Sequence, residues 1–126
     1  MENRILVVDD DPGILKAIDL SLTYCGFQVR PLLSGNNVFR MIDDFEPDLI
    51  ILDYMLSGRN GGEICKELKN DPQKRVIPVI MLSAHPEAAR RNEEFGCDSF
   101  LHKPFDLNVL VNEIKGYIDP APLVIR

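Results

Sequence analysis

Apolar residues fall along this chain in two alternating patterns. Short, nearly continuous apolar runs occur at Arg4–Val8, Phe27–Leu33, Leu49–Leu52, Pro78–Leu82 and Ser99–His102. Between them lie longer segments whose apolar positions recur at helical spacing. The runs predict strands and the periodic segments predict helices. Each predicted helix carries its own start and stop signals. The first has Asp11 as cap, Pro12 at its first position, and a stripe of Ile14, Leu15, Ile18 and Leu22 that ends at Gly26. The second opens near Ser34 and carries Val38, Met41, Ile42 and Phe45 until Pro47 blocks continuation. The third runs from about Gly62, through Ile64, Cys65 and Leu68, to Asn70. The fourth, Pro86 to Phe95, is the most polar and stops at Gly96. The fifth opens at Asp106, with Phe105 and Leu110 at staple spacing across the cap, and continues to about Ile118.

Five strand–helix units with short connections predict a parallel sheet covered by helices on both faces. Pro31 cannot donate to a ladder, so the second strand belongs at an edge. Strand order 2-1-3-4-5 puts it there, and the predicted fold is the flavodoxin-like (βα)5 doubly wound α/β arrangement. One domain spans 1–119. The segment 120–126, with Pro120 and Pro122, reads as a short tail or linker.

Composition narrows the function classes. The 126 residues carry a net charge of −6 and no basic cluster, which argues against direct nucleic-acid binding. No segment reaches membrane-spanning length, and the apolar run near the N-terminus is too short for a signal peptide. A cytoplasmic location is expected. Cys25, Cys65 and Cys97 are odd in number and lack metal-ligand spacing, so they read as reduced core thiols rather than a disulfide framework.

The candidate chemistry sits at strand ends. In an open parallel sheet, ligands bind beyond the carboxyl ends of the strands, where strand order reverses. That point lies between the first strand, which ends in Asp9, Asp10 and Asp11, and the third, which ends in Asp53. Carboxylates that close repel one another, and a divalent cation relieves the repulsion. A few hard oxygen ligands with room for water and phosphate suit Mg²⁺ better than a Ca²⁺ cage. Taken singly, Asp11 is a helix cap, Asp10 a loop acid and Asp53 a turn former. The fourth strand ends in Ser83 and the fifth in Lys103; alone these would be a turn hydroxyl and a solvated cation. Together they supply an aspartate nucleophile, a metal site, a hydroxyl donor and a lysine point charge. Those are the parts needed to take up and hold a phosphoryl group.

The ordered set ILVVDDD, LIILDYMLSGRNGG, VIMLSAH and FLHKPF, over about residues 4 to 118, resembles the receiver domain of two-component response regulators. The resemblance implies that Asp53 accepts a phosphoryl group from a sensor histidine kinase or phosphotransfer protein. It implies Mg²⁺, with Mn²⁺ able to substitute, on Asp9, Asp10, Asp53 and the main-chain carbonyl of Met55. Ser83 and Lys103 would contact the phosphoryl oxygens, helped by the backbone amide of Ala84. Gly61 matches the family's loop glycine, where the backbone needs a conformation that a side chain would resist. Phe100 matches an aromatic switch position, although plain core packing explains a Phe equally well. Ser83 and Phe100 together would bias the face made by the fourth helix, fifth strand and fifth helix, through which a downstream partner or a second copy would dock. Otherwise the output belongs to a domain outside this chain.

One departure from the family and one difference from a similar class bear on the reading. Where the family usually has Met-Pro after the acceptor, this chain has Leu56 and Ser57, which loosens the loop and removes no ligand. Metal-dependent phosphohydrolases with a similar site place a general acid two residues after the nucleophile. Met55 stands there and cannot transfer a proton, so the expectation is a signalling module and not an enzyme. A domain of this shape that never takes phosphate is the third reading, opposed by the intact set Asp10, Asp53, Ser83 and Lys103. His85 is expected as a loop residue near the site and His102 at the surface.

Overall fold

The computed structural model describes residues 3–118. The proposed tail, 120–126, lies outside them. Five strands alternate with helices: β1 (Arg4–Val8), α1 (Pro12–Tyr24), β2 (Gln28–Leu32), α2 (Val38–Phe45), β3 (Leu49–Asp53), α3 (Gly61–Asn70), β4 (Val79–Ser83), α4 (Pro86–Arg90), α5 (Asn92–Phe95), β5 (Ser99–His102) and α6 (Leu107–Lys115). All strand pairs are parallel, and the order is β2-β1-β3-β4-β5. Pro31 lies on the edge strand β2, opposite Val7.

Alternation along the central strands divides the core in two. Ile5, Val7, Leu49, Ile51, Ile80 and Leu82 face α1 and α6, which contribute Leu15, Ile18, Leu22, Leu110 and Ile114. Leu6, Val8, Ile50, Leu52, Val79 and Met81 face the other way, onto Val38, Ile42, Phe45, Ile64, Cys65, Leu68, Ala88 and Phe95. Because β1, β3 and β4 are buried on both sides, they read as continuous apolar runs. Among the described residues no helix is long and apolar enough to cross a membrane.

Element ends differ from expectation where a local cap or a tertiary contact takes over. Ser34 does not open α2: its hydroxyl accepts from Asn36 N–H at 3.1 Å, and the helix starts four residues later. Asn60 caps α3, accepting from Gly62 N–H at 2.7 Å, so that helix begins at Gly61. The expected single helix from Pro86 to Phe95 is two short ones that meet at Arg91, whose ψ is 8°. Only Ala88 and Phe95 bury themselves along it, a stripe too thin to hold one straight helix against the sheet. Beyond Lys115 the chain closes in turns, with both Tyr117 and Ile118 N–H donating to the Ile114 carbonyl. The two expected staple residues, Phe105 and Leu110, both lie on the α1–α6 half of the core.

Candidate functional site

At the carboxyl edge of the sheet, β1 and β3 lie side by side and project acids from their ends. Asp9 follows β1 directly and is fully buried, whereas Asp10 is exposed. Asp11 turns away to cap α1, its carboxylate accepting from Gly13 N–H at 2.9 Å and Ile14 N–H at 3.3 Å. Pro12 behind it costs nothing, since the first turn of a helix has no use for that N–H. Asp53 ends β3 with 5% of its surface exposed. One carboxylate oxygen from each of Asp9, Asp10 and Asp53 lies within 4.8 Å of the others.

Lys103 answers these acids from the end of β5, two strands from β3 and three from β1. Its backbone N–H donates to the Ser83 carbonyl at 2.9 Å, which continues the β4–β5 ladder past the last paired residues. From there its ammonium donates to Asp9 Oδ2 at 2.9 Å and to Asp53 Oδ2 at 3.2 Å. The following peptide bond, Lys103–Pro104, is cis. Burial opposes the ammonium's charge, but its bonds to Asp9 and the charge of Asp53 outweigh this and hold its pKa above the ordinary lysine value.

The electrostatics leave Asp53 in an unusual state for a carboxyl. Burial is the largest cause and the charge of Asp9 the next; against the pull of Lys103 they raise its pKa from 3.8 to about 6. Three carboxylates face one ammonium, so two formal negative charges remain uncompensated. Hard oxygen donors only, close together and short of positive charge, are the donor set that a small divalent cation needs. The residues fit such an ion.

A cleft of about 230 Å³ opens over these groups, lined by the acids and by Ile14, Met55, Ala84, His85 and Lys103. Met55 is half exposed at its mouth. Ser83 does not line this cleft: it is buried at the end of β4, and its hydroxyl accepts from His85 N–H at 2.8 Å. His85 is exposed beside the site and His102 is exposed on β5. Phe100 is half-buried, packs on the α2–α3 half of the core, and lies 6.4 Å from the His102 ring.

The role of Gly61 is different from the one expected. Its φ is not positive; the left-handed glycine in this loop is Gly58, at φ 90°. Gly61 instead approaches the end of β3 itself, donating to the Tyr54 carbonyl at 2.8 Å, and a β-carbon there would collide with the Asp53 carbonyl oxygen. Sequence reasoning also missed Asn60 as the cap that aims α3, although Asn before Gly-Gly and an apolar stripe is a cap signal. Nothing local marked Ile14 as the apolar wall of the cleft.

Comparison with known proteins places this geometry among relatives. Residues 5–115 match the family described as the response regulator receiver domain. The chain is 32% identical over 117 residues to the DNA-binding dual master transcriptional regulator RpaA of Synechocystis sp., covering 91% of this chain and 48% of that protein. It therefore spans about half the length of that curated relative. Among solved structures, a candidate response regulator from Chloroflexus aurantiacus superposes with a TM-score of 0.87 at 30% identity, covering 93% of this chain and 98% of that one. The signal receiver domain of a signal transduction histidine kinase from Syntrophus aciditrophicus superposes with a TM-score of 0.84 at 30% identity, covering 98% of each chain.

Proposed function

This chain belongs to the response regulator receiver domains, the phosphoryl-accepting modules of two-component signalling, and on that premise we propose that Asp53 is its acceptor. The observation that carries the reading is Asp53 itself: a buried carboxylate at the tip of a fully buried strand, gripped by Lys103 and flanked by Asp9 and Asp10. The donor is a phosphohistidine on a sensor histidine kinase or a phosphotransfer protein.

In the transfer, an Asp53 carboxylate oxygen attacks phosphorus in line with the departing histidine nitrogen. A P–O bond forms, the P–N bond breaks, and the imidazole leaves with the electron pair and takes up a proton. Such a reaction asks the protein mainly for position and charge. β3 supplies the position, since a strand packed on both faces cannot swing its last side chain. With a pKa of about 6, Asp53 is mostly ionised and nucleophilic at neutral pH. Lys103 supplies fixed positive charge beside the carboxylate that would carry the phosphoryl group. Asp9, Asp10 and Asp53, with the Met55 carbonyl, would hold Mg²⁺, which when bound neutralises charge on both carboxylates and phosphoryl oxygens.

Readout follows from the same groups. The Ser83 hydroxyl, engaged by the His85 N–H at 2.8 Å, would turn to donate to a phosphoryl oxygen, a stronger partner because it is charged. Phe100 would follow into the vacated space, shifting the face formed by α4, α5, β5 and α6 between two arrangements. A downstream protein, a second copy, or an output domain joined to this one would read that face. The domain takes one phosphoryl group per cycle as a signal and is not a catalyst in its own right.

Incubation with acetyl phosphate and Mg²⁺ tests the assignment. Wild type should gain one acid-labile phosphoryl group and Asp53→Ala none. Equal uptake by a folded Asp53→Ala protein would move the acceptor elsewhere.

A further inference from the structure

Two of the three cysteines meet in the α2–α3 half of the core, away from the acid cleft. Cys65, on α3, is fully buried, and Cys97, in the turn before β5, is half-buried. They are 32 positions apart in sequence, yet their sulfurs lie 3.3 Å from each other. Cys25 packs on the opposite face of the sheet, against the other half of the core.

We infer that Cys65 and Cys97 form an oxidative modification site, a dithiol that closes into an intramolecular disulfide and fastens α3 to the turn between α5 and β5. A disulfide needs its sulfurs at about 2.05 Å, so closure asks them to approach by only about 1.2 Å. The surroundings hold them in register. Phe95 lies against Gly62 closely enough that a β-carbon there would come within 2.6 Å of the ring. Gly96, in the left-handed conformation at φ 79°, sits on the Lys69 side chain, and Lys69 pairs with Asp98 at 2.7 Å. Contacts on both sides of Cys97 thus tie its turn to α3.

The two thiols are also chemically distinct. The Cys97 thiol donates to the Cys65 sulfur, which holds the Cys65 pKa below the ordinary thiol value, while that same bond and burial push Cys97 up. The oxidant is a peroxide. One sulfur of the pair attacks one peroxide oxygen; the O–O bond breaks, and the departing hydroxide takes that thiol's proton and leaves as water. The other sulfur then attacks the sulfur of the resulting sulfenic acid. An S–S bond forms, the S–O bond breaks, and the second thiol's proton leaves with the second hydroxide as water. Two thiols and one hydrogen peroxide become one disulfide and two waters.

Closure would anchor the far end of α5, beyond the break at Arg91. Its effect on signalling rests on the proposed function, since α5 belongs to the face that reads out phosphate; disulfide formation itself does not.

The test is to treat the protein, in a Cys25→Ser background, with hydrogen peroxide and measure its intact mass and peptide map. The expected result is a loss of 2 Da and a reducible link between peptides Asn60–Lys66 and Asn92–Lys115. A melting temperature higher by roughly 10 °C than that of the reduced form should accompany it, because the bond closes a loop of about 30 residues. Peroxide-treated protein in which both thiols still react with an alkylating agent on unfolding would overturn the inference. So would either cysteine carried to the sulfinic acid with no link formed. Failure of phosphate uptake at Asp53 would leave this result untouched.

Discussion

Asp53→Asn should make the ion-free protein more stable, by an amount that depends on pH. Folding raises the Asp53 pKa from 3.8 to about 6, chiefly by burial and then by the charge of Asp9. Between those values the native state holds more protons than the unfolded chain, so stability falls as pH rises through the window. Below it the carboxyl is neutral in both states and costs nothing; above it the whole penalty is present. A shift of about two units corresponds to ~3 kcal/mol at 1.36 kcal/mol per unit. Asparagine keeps the shape and one oxygen acceptor for Lys103 but never ionises, and Lys103 keeps its pairing with Asp9 at 2.9 Å. The pull of Lys103 is already contained in that net shift, so the gain is roughly 3 kcal/mol above pH 7, or about 9–12 °C in melting temperature for a domain of this size. Urea unfolding in EDTA, from pH 4 to pH 8, measures it. The gap between variant and wild type should be near zero at pH 4 and open through pH 6. Adding Mg²⁺ at pH 8 should stabilise wild type more than the variant and narrow the gap. A variant equal to or weaker than wild type at pH 8, or a gap that does not change with pH, would refute the reasoning.

Other perturbations separate neighbouring roles. Asp10→Ala should weaken Mg²⁺ binding, read by titration, far more than Asp11→Ala, which should instead cost about 1 kcal/mol of stability through loss of the α1 cap; equal losses of metal affinity would show the acids misassigned. Gly61→Ala should destabilise by roughly 2 kcal/mol or more in urea unfolding, because its β-carbon meets the Asp53 carbonyl oxygen; a neutral effect would mean that the loop yields freely. The phosphorylated form should persist for minutes or longer, since Met55 at the cleft mouth cannot orient or deprotonate an attacking water. Met55→Asn should therefore speed phosphate loss several-fold and His85→Ala less; a wild-type lifetime of seconds, unmoved by Met55→Asn, counts against this.

Local physics made much of this protein legible in its sequence. Continuous apolar runs marked strands covered on both faces, Asp11-Pro12 marked the start of α1, and Pro31 marked an edge. Those features, with short connections, favour the order 2-1-3-4-5, which is the order observed and which brings the ends of β1 and β3 together. Propensity, caps and hydrophobic period act over a few residues, which is why they can be read in line. What they do not contain is the contact between remote segments. Lys103 lies 94 positions from Asp9 and 50 from Asp53, and only the register of β4 on β5 delivers its ammonium to both. The raised pKa of Asp53 is likewise a property of burial and neighbours, absent from the residue itself. A glycine needed for φ and a glycine needed for room look alike in sequence: Gly58 is the one that needs the left-handed φ, and Gly61 the one that needs the room. The same holds for the break at Arg91 and for the meeting of Cys65 with Cys97. Each depends on how α3 and α5 press against one sheet, a matter settled by packing across the fold rather than by any stretch of the chain.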